Sequence, residues 1–212
     1  MRNSTSPLAW SLASIVAASL ALLGAGCQSS SPSSSSSTAP AAAAPAMATP
    51  AASSSAMLPV PVRIAAGTTN TIKDDAGNTW IGYGNFFADG ETIDRPGIPI
   101  ANAGAKEADL YRSERYSMTK FSYGPIANGD YTVKLHFCET YDGITGAGQR
   151  VFNFNVNGTA FNNFDIWVKA PGFEHAYIET VPVTVKDQHV TVTFSANVEN
   201  PQINGIEILP GH

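Results

Sequence analysis

The eight residues from Tyr131 to Cys138 alternate strictly, and this period of two constrains the chain more than any other feature. Successive side chains of an extended strand project to opposite faces. Tyr131, Val133, Leu135 and Phe137 therefore share one face, and Thr132, Lys134, His136 and Cys138 share the other. That pattern predicts a strand with one face in a core. Glu139 to Arg150 follows, with Gly143, Gly146 and Gly148, and is too rich in glycine to stay extended. Val151–Val156 is the return strand, and Asn157-Gly158 is a turn signal, because both residues tolerate positive φ. The intervening loop carries an acid, an aromatic and glycines on a rigid platform, a common way to build a binding site.

The other periodic stretches are also strand-like. Val62–Gly67, Thr79–Ile81, Tyr177–Val185, Val190–Phe194 and Ile203–Ile208 read as strands, Phe121–Tyr123 leads into a break, and Pro182 marks an edge or a bulge. Thr159–Phe164 and Asp165–Val168 each read as a short strand or turn. Asp74 to Asn78, Gly124-Pro125, Asn128-Gly129 and Ala170-Pro171-Gly172 are breaks. Gly82 to Asp109 is a long, mostly irregular loop, and loops of that length in a compact domain are often functional. No stretch has a sustained helical period. Short strands separated by turn signals predict an all-β fold, a jelly-roll-like antiparallel β-sandwich. Leu135, Phe137, Phe152, Phe154, Val192 and Ile206 are its expected core.

The first part of the chain has a different character. Met1-Arg2-Asn3 is a short positive start, Leu8 to Gly26 is apolar, and small residues lead into Cys27. A transmembrane helix is one reading of this run; the small-residue exit favours a processed signal peptide. It resembles a bacterial lipoprotein signal over 1–27 in which Cys27 is lipidated, although Gly24 stands where a large apolar residue is usual. Ser29, in place of an acid, implies by that resemblance a lipid anchor in the outer membrane of the cell envelope. Residues 28–57 are Ser, Ala, Thr and Pro without charge or periodicity, the composition of a disordered tether. Residues 58–212 remain for one domain with its own core. The net charge of −5 argues against a nucleic-acid partner. With Cys27 in the leader, Cys138 is expected to be a small buried hydrophobe with no disulfide.

Five segments in order resemble a malectin-like domain: Leu110–Tyr116, Asn128–Glu139, Gly148–Gly158, Phe164–Ile166 and Asn200–Ile208. The resemblance implies a jelly-roll-like sandwich that binds carbohydrate without cleaving it. It further implies roles for particular residues. Tyr116 matches the tyrosine closing the Tyr-x-x-Glu-Arg-Tyr run, and Tyr141 matches a tyrosine after the strand end. Asp142 replaces a neighbouring aromatic of animal malectin, and Glu199 stands where the family has an aspartate. Tyr83 is a candidate for a further tyrosine of the early loop.

The residue types suit that chemistry. Sugar C–H faces stack on aromatic rings, and hydroxyls suit carboxylates and amides. Glu139 is expected to pair with Arg115 or Arg150. A glycosidase or its accessory subunit is a second class, since Glu139, Asp142, Asp165 and Glu199 contain the two carboxylates such chemistry needs. No nucleophile elbow, zinc-protease motif or phosphate loop accompanies them. His136 and His189 read as structural strand residues. Asp74, Asp75 or Asp89 could ligate calcium, but no Asp-rich loop motif surrounds them, so neither metal nor cofactor is expected. A protein-interaction module of the cell envelope, gripping a partner with the same loops, is the third class.

Overall fold

The computed structural model describes residues 56–170 and 172–211. The expected signal peptide with Cys27, and all but the last two residues of the expected tether, lie outside the described residues. In chain order the elements are β1 (Val62–Ala65), β2 (Ile72–Lys73), β3 (Thr79–Gly82), β4 (Glu91–Asp94), α1 (Ala108–Arg112), β5 (Ser113–Tyr116) and β6 (Lys120–Tyr123). They continue with β7 (Gly129–Cys138), β8 (Val151–Val156), β9 (Thr159–Phe164), α2 (Ile166–Lys169), β10 (Ala176–Val185), β11 (Val190–Val198), β12 (Gln202–Ile203) and β13 (Gly205–Pro210).

The strands form three sheets, ordered β10-β7-β13-β1-β3-β2, β6-β11-β8-β9 and β12-β5-β4. Every pairing is antiparallel except that of β1 with β3. This is the expected all-β sandwich. The six expected core residues are all buried. Phe137 of the large sheet meets Phe152, Phe154 and Phe164 at ring-centroid distances of 6.1, 5.8 and 4.9 Å. Fully burying side chains of this size is worth about 1.5–3 kcal/mol each, so this aromatic layer holds the sheets together. Pro182 lies in β10, an edge strand as anticipated.

Several expectations are corrected. Val151–Val156 does return, but in the facing sheet, paired with β11 and β9 rather than with β7. The loop Glu139–Arg150 therefore bridges the two sheets at one end of the sandwich. The second face of β7 is also buried at His136 and Cys138, because Ala65, Trp80, Leu110, Tyr111 and Ala176 pack over that end of the strand, so Cys138 is buried as expected. Cys138 is a free, buried thiol, and burial pushes its pKa well above that of an ordinary cysteine, which keeps it protonated. Asp165–Val168 is neither strand nor turn. The Asp165 carboxylate accepts from Trp167 N at 2.9 Å, capping α2. Gly82–Asp109 is mostly irregular as read, and within it lies β4, which pairs with β5. Ile203–Ile208 divides between two sheets, and His189 lies just before β11, not within it.

Both ends of the described chain are fastened near the start of β7. Leu58 N donates to Pro125 O at 2.7 Å, and Gly211 N donates to Asp130 O at 2.8 Å. Among the described residues no helix is long and apolar enough to cross a membrane.

Candidate functional site

Where β7 ends, a cleft of about 270 Å³ opens between Ile93, Arg95, Glu114, Tyr116, Tyr141, Arg150, Glu199 and Asn200. A second depression of about 450 Å³ shares Ile93, Arg95 and Tyr141 with it and adds Asp142, Phe173 and Glu174. Tyr116, Tyr141 and Glu199 thus converge from three distant segments, and Asp142 stands in the adjoining depression. Tyr83 lies apart from both linings. Its ring packs against the core and stacks under the Arg115 guanidinium at 4.2 Å.

Two ion pairs form the floor, one buried on both sides and one whose arginine is partly exposed. The Arg150 Nε donates to Glu139 Oε2 at 2.6 Å, the pairing anticipated for Glu139, and Glu139 Oε1 also accepts from Tyr141 N at 3.0 Å. Burial pushes the Glu139 carboxyl above its ordinary value, against the pull of the Arg150 charge. Arg150 Nη1 further donates to the Asn200 carbonyl, so one arginine fixes the loop of Tyr141 and the loop of Glu199 together. In the other pair, Arg95 Nη1 lies 3.1 Å from Glu114 Oε1 and donates to Thr140 Oγ1, which donates to Glu114 Oε2 at 3.0 Å.

Tyr141 is 42% exposed, an unusual state for a large ring with an anchored backbone. Gly143 explains its position. A Cβ at that residue would lie 2.5 Å from the Tyr141 ring, so only glycine lets the ring rest there. The Arg95 guanidinium lies 6.0 Å from the ring centroid. Tyr116 ends β5, held between Glu91 of β4 and Gln202 of β12. Glu199 has φ of 61° and accepts from Asn200 N and Nδ2.

The remaining candidate acids have structural partners. Asp165 caps α2 and accepts from Gly148 N at 2.6 Å. Asp74 binds Asn78 and Trp80 Nε1, Asp75 accepts from the Lys106 and Glu107 amides, and Asp89 holds Thr119 through two bonds of 2.6 Å. Among the described residues no cluster of three potential metal ligands forms. Arg115 is spent on the carbonyls of Ala66, Asp89 and Gly90 rather than on Glu139. Sequence reasoning missed Ile93, Arg95, Glu114, Phe173 and Glu174 at the site. Arg95 and Ile93 lie in the segment read as a long functional loop, which was the available signal.

The malectin domain profile matches residues 62–206. Malectin-B of Xenopus laevis is 29% identical over 131 residues, covering 54% of this chain and 46% of that protein. The aligned region is thus about half the length of the curated relatives first matched. A Bacteroides uniformis beta-glucuronidase superposes with a TM-score of 0.63 at 14% identity, over 72% of this chain and 18% of that one. A chain in the complex of plant peptide RALF23 with FER and LLG2 superposes with a TM-score of 0.60 at 20% identity, over 69% of this chain and 47% of that one. At these identities the likeness to both structures is one of fold.

Proposed function

This chain belongs to the malectin family, a non-catalytic, carbohydrate-binding type of domain, and on that premise we propose that it binds a di- or oligosaccharide without cleaving it. The observation that carries the reading is the convergence of Tyr116, Tyr141 and Glu199 on one cleft, with Asp142 beside it. The exposed Tyr141 ring is a stacking platform for a sugar face, Tyr116 forms a second aromatic wall, and the Glu199 and Asp142 carboxylates accept from hydroxyls. The reading without cleavage is supported by how the other acids are used. Glu139 and Glu114 are each paired with an arginine and Asp165 caps a helix, so none of these three stands free as one of the two opposed carboxyls that glycosidic cleavage needs.

The test is titration against a panel of gluco- and galacto-oligosaccharides, with products checked by chromatography. A shallow site on one module should give affinities on the order of micromolar to millimolar. Tyr141→Ala should weaken binding more than Glu199→Gln, since it removes a platform as well as a hydroxyl. Released sugar would convert the reading to an enzyme. Failure of every glycan, with a protein recovered by pull-down, would favour an interaction module.

The proposal extends to location. The apolar run ending in Gly26-Cys27 and the 28–57 composition support a mature chain lipidated at Cys27, which holds the 58–212 domain at the outer membrane. Cys27→Ser should be released or unprocessed on fractionation; an unchanged membrane pellet would refute the anchor.

A further inference from the structure

We propose that this site selects its glycan by charge, accepting uncharged or cationic oligosaccharides and turning away those that carry a carboxylate or sulfate. The inference rests on the carbohydrate-binding reading and names the class of sugar within it.

A cleft lined by two arginines looks suited to an acidic sugar. Both cations are already committed. Arg150 is 4% exposed and bonds Glu139, itself fully buried, with two of its nitrogens and the Asn200 carbonyl with the third. Arg95 is bound to Glu114, which is only 3% exposed, and to Thr140. Turning the Arg150 guanidinium toward a ligand anion would strand the buried Glu139 carboxylate without its counter-charge, a strongly unfavourable exchange. Bidentate capture of a carboxylate or sulfate needs a free arginine fork; Arg150 offers none, and Arg95, which holds Glu114 and Thr140 through Nη1, has its charge already matched by Glu114.

With the two pairs cancelled, the charges that remain are all negative. Glu199 is exposed and its only side-chain partner among the described residues is the neighbouring Asn200. Asp142 and Glu174 make no side-chain hydrogen bond or ion pair among the described residues, and both line the depression that continues the cleft past Tyr141. Lysine is absent from both linings. An anionic sugar crossing Tyr141 meets three uncompensated carboxylates, whereas a protonated amine there meets those carboxylates and the faces of Tyr141 and Phe173.

The experiment uses maltotetraose and cellotetraose, each with its C6-carboxylate and C2-amine counterparts, titrated into the protein at about 20 mM and about 0.5 M salt, where screening lengths differ several-fold. At low salt the carboxylates should bind at least about tenfold more weakly than the neutral parents, as expected for like charges within several ångströms in a partly wet cleft. The amines should match or exceed the parents. High salt should narrow both differences, and Glu174→Gln should narrow the carboxylate penalty at low salt. Carboxylates that bind as well as the neutral sugars, or a penalty indifferent to salt, would overturn charge selection and leave the carbohydrate-binding reading standing. Failure of all six ligands would overturn charge selection on this site, and failure of the galacto-oligosaccharides as well would remove the carbohydrate-binding reading.

Discussion

The two faces of β7 are built by different means. Toward the facing sheet, Tyr131, Val133, Leu135 and Phe137 enter an aromatic layer where contact is broad and no single partner is essential. On the opposite face, His136 is held by a chain of discrete bonds. Its Nδ1 lies 2.8 Å from Tyr111 Oη, its Nε2 lies 3.0 Å from Glu207 Oε1, and Arg63 Nε stands 2.7 Å from Glu207 Oε2. Trp80 meets the imidazole edge-on at 4.9 Å. An apolar face tolerates exchange of like for like. A buried polar chain fails when any one partner is lost, because the others keep the cost of desolvation.

The sharpest way to break this contrast is Phe137→Ala, which should cost about 3–5 kcal/mol in urea unfolding because the surrounding rings cannot close the void. Phe137→Leu should cost clearly less. Equal losses would mean that ring geometry, not filled volume, holds the layer. On the other face His136→Phe preserves bulk but strands the Tyr111 hydroxyl, and should cost about 1–3 kcal/mol. A neutral result would show that packing against Trp80 matters more than the bonds.

The polar face should also respond to acid. Burial alone would raise Glu207, yet its bond to His136 and the nearby charges of His136 and Arg63 hold its carboxyl below the ordinary 4.5. The unfolded chain therefore binds the proton more readily than the folded one. The stabilisation is complete above the unfolded value and is lost as pH falls below 4.5 toward the depressed one. Glu207→Gln should be less stable at neutral pH and lose less on acidification through that window; parallel curves would refute the assignment. The smallest stability effect belongs to the cleft. Gly143→Ala should shift stability by no more than about 0.5 kcal/mol, yet displace the Tyr141 ring and weaken glycan binding. A large loss of stability would mean that the loop is part of the core.

The same contrast explains what could be read in the sequence. The apolar face of β7 and the aromatics of β8 follow from alternation alone, because a period of two is local. The polar face joins residues 25 and 71 positions apart, and no local pattern announces such pairs. At the site, Tyr116, Tyr141 and Glu199 were legible through the resemblance to the malectin-like pattern, as matches to its motif positions. Arg95 and Glu114 were not, since charged residues beside a loop read as solvated until a fold buries them against each other. The facing position of β8 was equally hidden: a glycine-rich connection looks alike whether it turns back along one sheet or crosses to another.

The fastening of both chain ends at the start of β7 sets how the molecule can be mounted. β7 is ten residues long, roughly 30 Å at about 3.4 Å per residue, and the cleft opens beyond its far end. Whatever is joined at Leu58 or at Gly211, a natural extension or a fused reporter, attaches at the pole away from the mouth of the cleft. The domain can be held at either end, or at both, with its mouth directed outward and unobstructed.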